Sequence, residues 1–144
     1  MYDANIIADY VIVYSDEHNY FLSNLKLQKL LYMIQAYFLI SKNKPCFFNT
    51  IEAWDFGPVV PDVYSRYKVF GATTIPAPRF RNFNITDCDQ KLVNEVIEKF
   101  RRYTATDLMK LTQCQAPWQE AFEYKTLISI DSLRRYFCEE EFLC

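Results

Sequence analysis

The segment from Leu25 to about Lys42 constrains the fold more than any other part of the chain. Its apolar side chains recur every three or four residues, which is the period of an α-helix. One stripe consists of Leu27, Leu30, Leu31, Ile34 and Phe38, and a second carries Gln28, Tyr32, Gln35 and Leu39. A helix that is apolar or aromatic on most sides is normally enclosed by other elements. The segment therefore predicts a central helix, capped by Ser23 or Asn24.

Shorter helices are expected on both sides of the central one, because apolar residues again recur at the helical period behind good capping residues. The expected helices are one from the cap Asp3 to about Tyr14, one from Pro61 to Phe70, one from Cys88 to about Tyr103, one behind the capping box Thr104–Asp107 with Leu108 and Leu111 facing inward, one from Ala116 toward Tyr124, and one that begins at Ser129 or Asp131 and includes Phe137.

One extended element is expected near residues 47–56, where Trp54 and Phe56 would share a face of a strand before Gly57-Pro58 ends it. The fold class predicted from these patterns is mainly α. We expect a compact single domain over residues 1–144, with about six helices and a small extended or β element near residues 47–56.

The composition excludes several classes of enzyme. The chain has only two glycines, Gly57 and Gly71, and one histidine, His18. Glycine-rich phosphate loops and zinc sites with two histidines are therefore impossible. With 12 Phe, 11 Tyr and 2 Trp among 144 residues, the chain is instead expected to be a packed, aromatic-rich interaction domain and not an enzyme.

Charge and hydropathy limit the kinds of partner that the chain is expected to bind. A formal net charge of −2 argues against nucleic acid, although residues 79–83 interleave arginine with phenylalanine in a pattern that can stack on single strands. The longest apolar stretch, Leu30 to Ile40, is too short to span a bilayer. The first residues lack the basic region of a signal peptide, so we expect a cytoplasmic protein that has no membrane partner.

Two blocks of sequence carry a family resemblance. Residues 25–32 read LKLQKLLY, and residues 51–64 read IEAWDFGPVVPDVY. Together with the stretch from Leu108 to Thr112 and the later pair Pro117-Trp118, they resemble the Panacea domain, the SocA-like or GepA-like antitoxin domain of bacteria, phages and mobile elements. The resemblance covers about residues 1–138. Family members often carry histidine after the late threonine, where this chain has Gln113.

The resemblance implies a noncatalytic antitoxin of a toxin–antitoxin pair, which needs no cofactor. Its partner would be a cognate protein toxin from an adjacent gene, neutralised by masking or by delivery to a protease. The alternative is a phage or mobile-element regulatory protein that binds a host protein other than a toxin. Exposed aromatic side chains would also be compatible with a homodimer.

The two blocks supply the candidate site residues. Candidates for partner binding are Gln28, Lys29, Tyr32, Trp54, Phe56, Gly57, Pro58, Val59 and Tyr64. Each also has a structural interpretation, since buried polar side chains need hydrogen-bond partners inside the fold and glycine with proline shapes a turn. Residues expected to have structural roles are Leu27, Leu30, Leu31, Pro61, Pro117 and Trp118.

Overall fold

Seven α-helices and one small sheet make up the part of the chain, residues 1–139, that this computed structural model describes. The helices are α1 (Ala4–Glu17), α2 (Asn24–Lys42), α3 (Pro61–Tyr67), α4 (Asp87–Lys99), α5 (Ala105–Gln113), α6 (Ala116–Tyr124) and α7 (Ile130–Glu139). A short 3₁₀ helix, Lys68–Phe70, extends α3 and ends at Gly71. The predicted fold class, mainly α with a small β element, is confirmed.

Helix α2 is the central element, as its sequence predicts. Of its 19 residues, 14 are buried, and it packs against five other helices: α1, α3, α4, α5 and α7. The Ser23 hydroxyl accepts a hydrogen bond from the backbone N–H of Lys26 and so caps its start. Asn43 ends the helix in the left-handed conformation, with φ of 55°. Asparagine tolerates this conformation better than most residues, so the turn needs no glycine.

The extended element is a hairpin and not a single strand. Strands β1 (Ile51–Trp54) and β2 (Gly57–Val59) are antiparallel, and β3 (Leu127–Ile128) pairs with the other edge of β1. The prediction that Trp54 and Phe56 share one strand face was wrong, because Phe56 lies in the two-residue turn. The expectation that Gly57-Pro58 ends the extended element was also wrong, because these two residues begin β2. Gly57 has a φ of 108°, which suits a residue next to a tight turn.

Three helix details also differ from expectation. Helix α1 continues to Glu17, and α4 ends at Lys99, which leaves Tyr103 on a connecting turn with 38% of its surface exposed. In α5, Leu108 is fully buried but Leu111 is 36% exposed. Residues three and four positions apart lie on neighbouring parts of a helix face, and in α5 it is Leu108 and Thr112 that face the core.

No helix within residues 1–139 is long and apolar enough to cross a membrane.

Candidate partner-binding site

Two polar side chains of α2 cover the free edge of strand β2. Gln28 Oε1 accepts a hydrogen bond of 2.9 Å from the backbone N–H of Val60. Lys29 Nζ donates one of 2.8 Å to the carbonyl oxygen of Pro58. Alternate backbone groups of an antiparallel strand face away from its partner strand, and here these groups meet α2. Gln28 and Lys29 thus replace a missing neighbouring strand, and Pro58 suits this edge because it has no N–H to satisfy.

Lys29 is the most unusual group in this region. Its side chain is fully buried, and none of the ion pairs formed within residues 1–139 includes it. A Cβ atom at Gly57 would lie 2.8 Å from Lys29 Cε and 2.9 Å from Nζ, so glycine is what leaves room for the lysine. Burial disfavours the ammonium form and lowers the pKa of Lys29 to about 7.

The other polar residues of α2 also bond within the fold. Gln28 Nε2 donates to Asn24 Oδ1 at 2.9 Å, and the Tyr32 hydroxyl donates to Gln115 Oε1 at 2.8 Å. Gln28, Lys29 and Tyr32 have no exposed surface. Their contacts match the interpretation of a polar seam inside the fold, and direct contact with a partner stays a prediction for all three.

Three aromatic side chains beside this seam form a cluster that reaches the surface, which we call the aromatic trio. The trio is Trp54, Phe56 and Tyr64, and each ring is half-buried. The ring centroids lie 5.0 Å apart for Trp54 and Tyr64, 5.6 Å for Trp54 and Phe56, and 6.0 Å for Phe56 and Tyr64. These spacings are typical of favourable aromatic pairs. Lys29 Nζ lies 5.3 Å from the Phe56 ring centroid and supports the trio from the core side.

The hairpin that carries Trp54 and Phe56 is held in place by side chains from two helices. From α5, Gln113 Nε2 donates to the carbonyl oxygen of Asp55 at 2.8 Å, and from α6 the indole N–H of Trp118 donates to the carbonyl oxygen of Trp54 at 2.9 Å. The indole N–H of Trp54 itself donates to Glu52 Oε1 at 2.7 Å. Trp54 and the turn that follows it are therefore held by hydrogen bonds within the fold.

Gln113 bonds to the hairpin turn, although sequence reasoning assigned it no role. It drew notice only because family members often have histidine there. An amide N–H of glutamine donates to the hairpin turn, and an imidazole N–H offers the same kind of donor. The substitution therefore keeps a donor where the turn needs one.

The remaining candidates lie in the interior or at helix starts. Gly57, Pro58 and Val59 are buried in β2. Pro61 and Pro117 occupy the first turns of α3 and α6, as proline prefers. Trp118 stacks on Phe122 with 4.6 Å between centroids. The three motif leucines of α2 are at most 1% exposed: Leu27, Leu30 and Leu31.

Other chemistry is sparse in the part of the chain that is described. No group of three or more His, Cys, Asp or Glu side chains there could hold a metal ion. In the segment 79–83, Phe83 packs edge-on against Tyr10 at 5.4 Å and Phe80 is 51% exposed. We therefore take the hairpin and the aromatic trio, whose third member Tyr64 lies on α3, as the candidate site.

Comparison with known proteins gives the family. The family model for the antitoxin SocA-like, Panacea domain matches residues 27–119, a range that includes most of the helix α2 motif, the hairpin, the trio and Gln113. Antitoxin SocA from Caulobacter vibrioides (strain NA1000 / CB15N) is 39% identical over 69 residues, which are 48% of this chain and 37% of that protein. The chain thus matches little more than a third of that relative's length. No solved structure matches. The chain belongs to the SocA-like antitoxin family defined by the Panacea domain.

Proposed function

We propose that this chain is a noncatalytic antitoxin that binds and neutralises a cognate protein toxin through its aromatic trio. The single observation behind this proposal is that Trp54, Phe56 and Tyr64 lie in mutual contact at the surface within the family-defining block. We treat residues 1–144 as one domain that acts in the cytoplasm. The toxin is expected to come from an adjacent gene.

Large aromatic side chains suit this task for energetic reasons. Tryptophan and tyrosine are enriched among the residues that dominate protein interfaces, because each buries a large area with few rotatable bonds. Ordering a flexible side chain costs about 0.5–1.5 kcal/mol on binding. Trp54 and its hairpin are already held by Glu52, Gln113 and Trp118, so most of that cost falls on folding and not on association.

Gln28 and Lys29 take part as positioning residues. Lys29 bonds to the backbone of β2 and Gln28 to that of Val60, the residue after it, and Lys29 also contacts the Phe56 ring. A change at either residue is expected to weaken toxin binding by moving the hairpin. Masking and delivery to a protease both begin with this binding step, and the trio would serve either one.

Co-expression with the product of the adjacent gene tests the proposal. The wild-type chain should restore growth to cells in which that product is toxic, and Phe56→Ala should restore it much less. Phe80→Ala is the matched control, since Phe80 is an exposed phenylalanine outside the trio, and it should rescue fully.

Two results would contradict the proposal. One is a neighbouring product that is harmless by itself, and the other is toxicity that persists beside the wild-type chain without any complex. Capture of one stoichiometric host protein, together with a harmless neighbour, would instead identify a regulatory protein that acts on a host factor.

A further inference from the structure

The aromatic trio is bordered by acidic side chains. Glu52 accepts the Trp54 indole N–H, and Asp55 occupies the exposed turn between Trp54 and Phe56. Neither carboxylate takes part in an ion pair among the residues that the structure places. The rings are therefore bordered by two negative charges that no such ion pair neutralises.

Two nearby cations, Arg66 and Lys29, are engaged elsewhere. Arg66 of α3 bonds to Asp9 and Asn5 of α1, and Lys29 is buried beneath Phe56 with its Nζ directed to Pro58. Aromatic faces attract cations by their quadrupole, and tryptophan does so most strongly.

We propose that the trio, with Glu52 and Asp55, is a receptor for an arginine side chain of the protein partner. This inference rests on the proposed function and adds the chemistry of the group that the partner inserts. A guanidinium is favoured over an ammonium because it is planar, stacks on aromatic rings and forms paired hydrogen bonds with a carboxylate. Charge complementarity with an acidic border selects a cationic group over an apolar one.

A peptide probe tests this inference without the toxin. The probe is blocked acetyl-Gly-Arg-Gly-amide, added to the ¹⁵N-labelled protein, and the signal is the indole N–H resonance of Trp54, assigned with Trp54→Phe. The comparison peptide carries citrulline, which has the shape of arginine without its charge. We expect the arginine peptide to shift the Trp54 resonance saturably, and the citrulline peptide to bind about fivefold more weakly.

A double variant tests the acidic border. Glu52→Gln with Asp55→Asn keeps the acceptor for the Trp54 indole and the backbone carbonyl that Gln113 bonds, and removes two charges. This double variant should bind the arginine peptide about fivefold more weakly, and the affinity should lose most of its dependence on salt concentration. The matched control, Asp16→Asn with Glu17→Gln, removes two exposed charges at the end of α1 and should bind as the wild type does.

The inference would be overturned by equal binding of the arginine and citrulline peptides, by an absence of any saturable Trp54 shift, or by equal losses in the two double variants. Growth rescue by the wild-type chain in any of those cases would leave the antitoxin function standing and remove only the arginine receptor. If the wild-type chain failed to restore growth but the arginine peptide still shifted the Trp54 resonance specifically, the antitoxin function would be removed and the arginine receptor would stand.

Discussion

The buried lysine under the hairpin gives the sharpest prediction about stability. Lys29 has a pKa of about 7 in the folded chain because burial disfavours its charge, whereas a lysine in the unfolded chain has a pKa of about 10.4. Between these values the unfolded state binds more protons than the folded state, so the free energy of unfolding rises with pH. The rise from about pH 6 to about pH 8.5 amounts to roughly 2 kcal/mol from this one group.

Urea unfolding of the wild type and of Lys29→Met at these two pH values measures the effect. The variant lacks the titrating group, so its free energy of unfolding should lack this rise of roughly 2 kcal/mol. Its absolute stability also changes, because the carbonyl of Pro58 loses its donor, and for that reason the pH slopes are compared. Lys110→Met, at an exposed lysine of α5, should keep the wild-type slope.

Equal slopes for the wild type and Lys29→Met would refute the reasoning. They would mean that the Lys29 ammonium is as well solvated in the folded chain as in the unfolded one. Gly57 and the Phe56 ring would then not enclose the Lys29 amine away from water.

Two further substitutions test the seam around this lysine by urea unfolding. Gly57→Ala should destabilise the fold by at least about 2 kcal/mol, since the new Cβ meets Lys29 at 2.8 Å. Gly71→Ala, where φ is also positive but no atom lies within 4 Å, should cost less, and an equal cost would contradict the close contact. Tyr32→Phe should lose about 1–2 kcal/mol because Gln115 Oε1 is left without its donor. An unchanged urea midpoint for Tyr32→Phe would count against that buried bond.

The central helix was predictable because its signal is local and long. Nineteen residues with apolar side chains at the helical period, and a capping serine before them, specify α2 without help from the rest of the chain. The capping box at Thr104 is predictable for the same reason, and both of its hydrogen bonds form.

The hairpin was harder to predict because its turn lacks the usual signal. Two-residue turns favour Asn-Gly or Asp-Gly, but here the turn is Asp55-Phe56 and the glycine follows it. For this reason the sequence predicted that Gly57 ends the extended element. Its positive φ and its place against Lys29 come from tertiary contacts that the local sequence does not reveal.

The sequence predicted which residues lie near the hairpin better than it predicted their arrangement. The motif residues all lie in and around the hairpin, but sequence spacing could not separate the surface trio from the buried seam of Gln28, Lys29 and Tyr32. That separation depends on long-range hydrogen bonds, such as the one from Gln113 to Asp55 over 58 residues.

The direct test of the central claim is calorimetric titration of the purified chain with the toxin encoded by the adjacent gene. If the aromatic trio is the binding surface, Phe56→Ala and Tyr64→Ala should each raise the Kd about 30-fold, as expected for dominant interface residues. Phe48→Ala, at a phenylalanine outside the trio that is 61% exposed, should leave the Kd unchanged. Wild-type affinity in both trio variants, with their folds intact by circular dichroism, would contradict the claim.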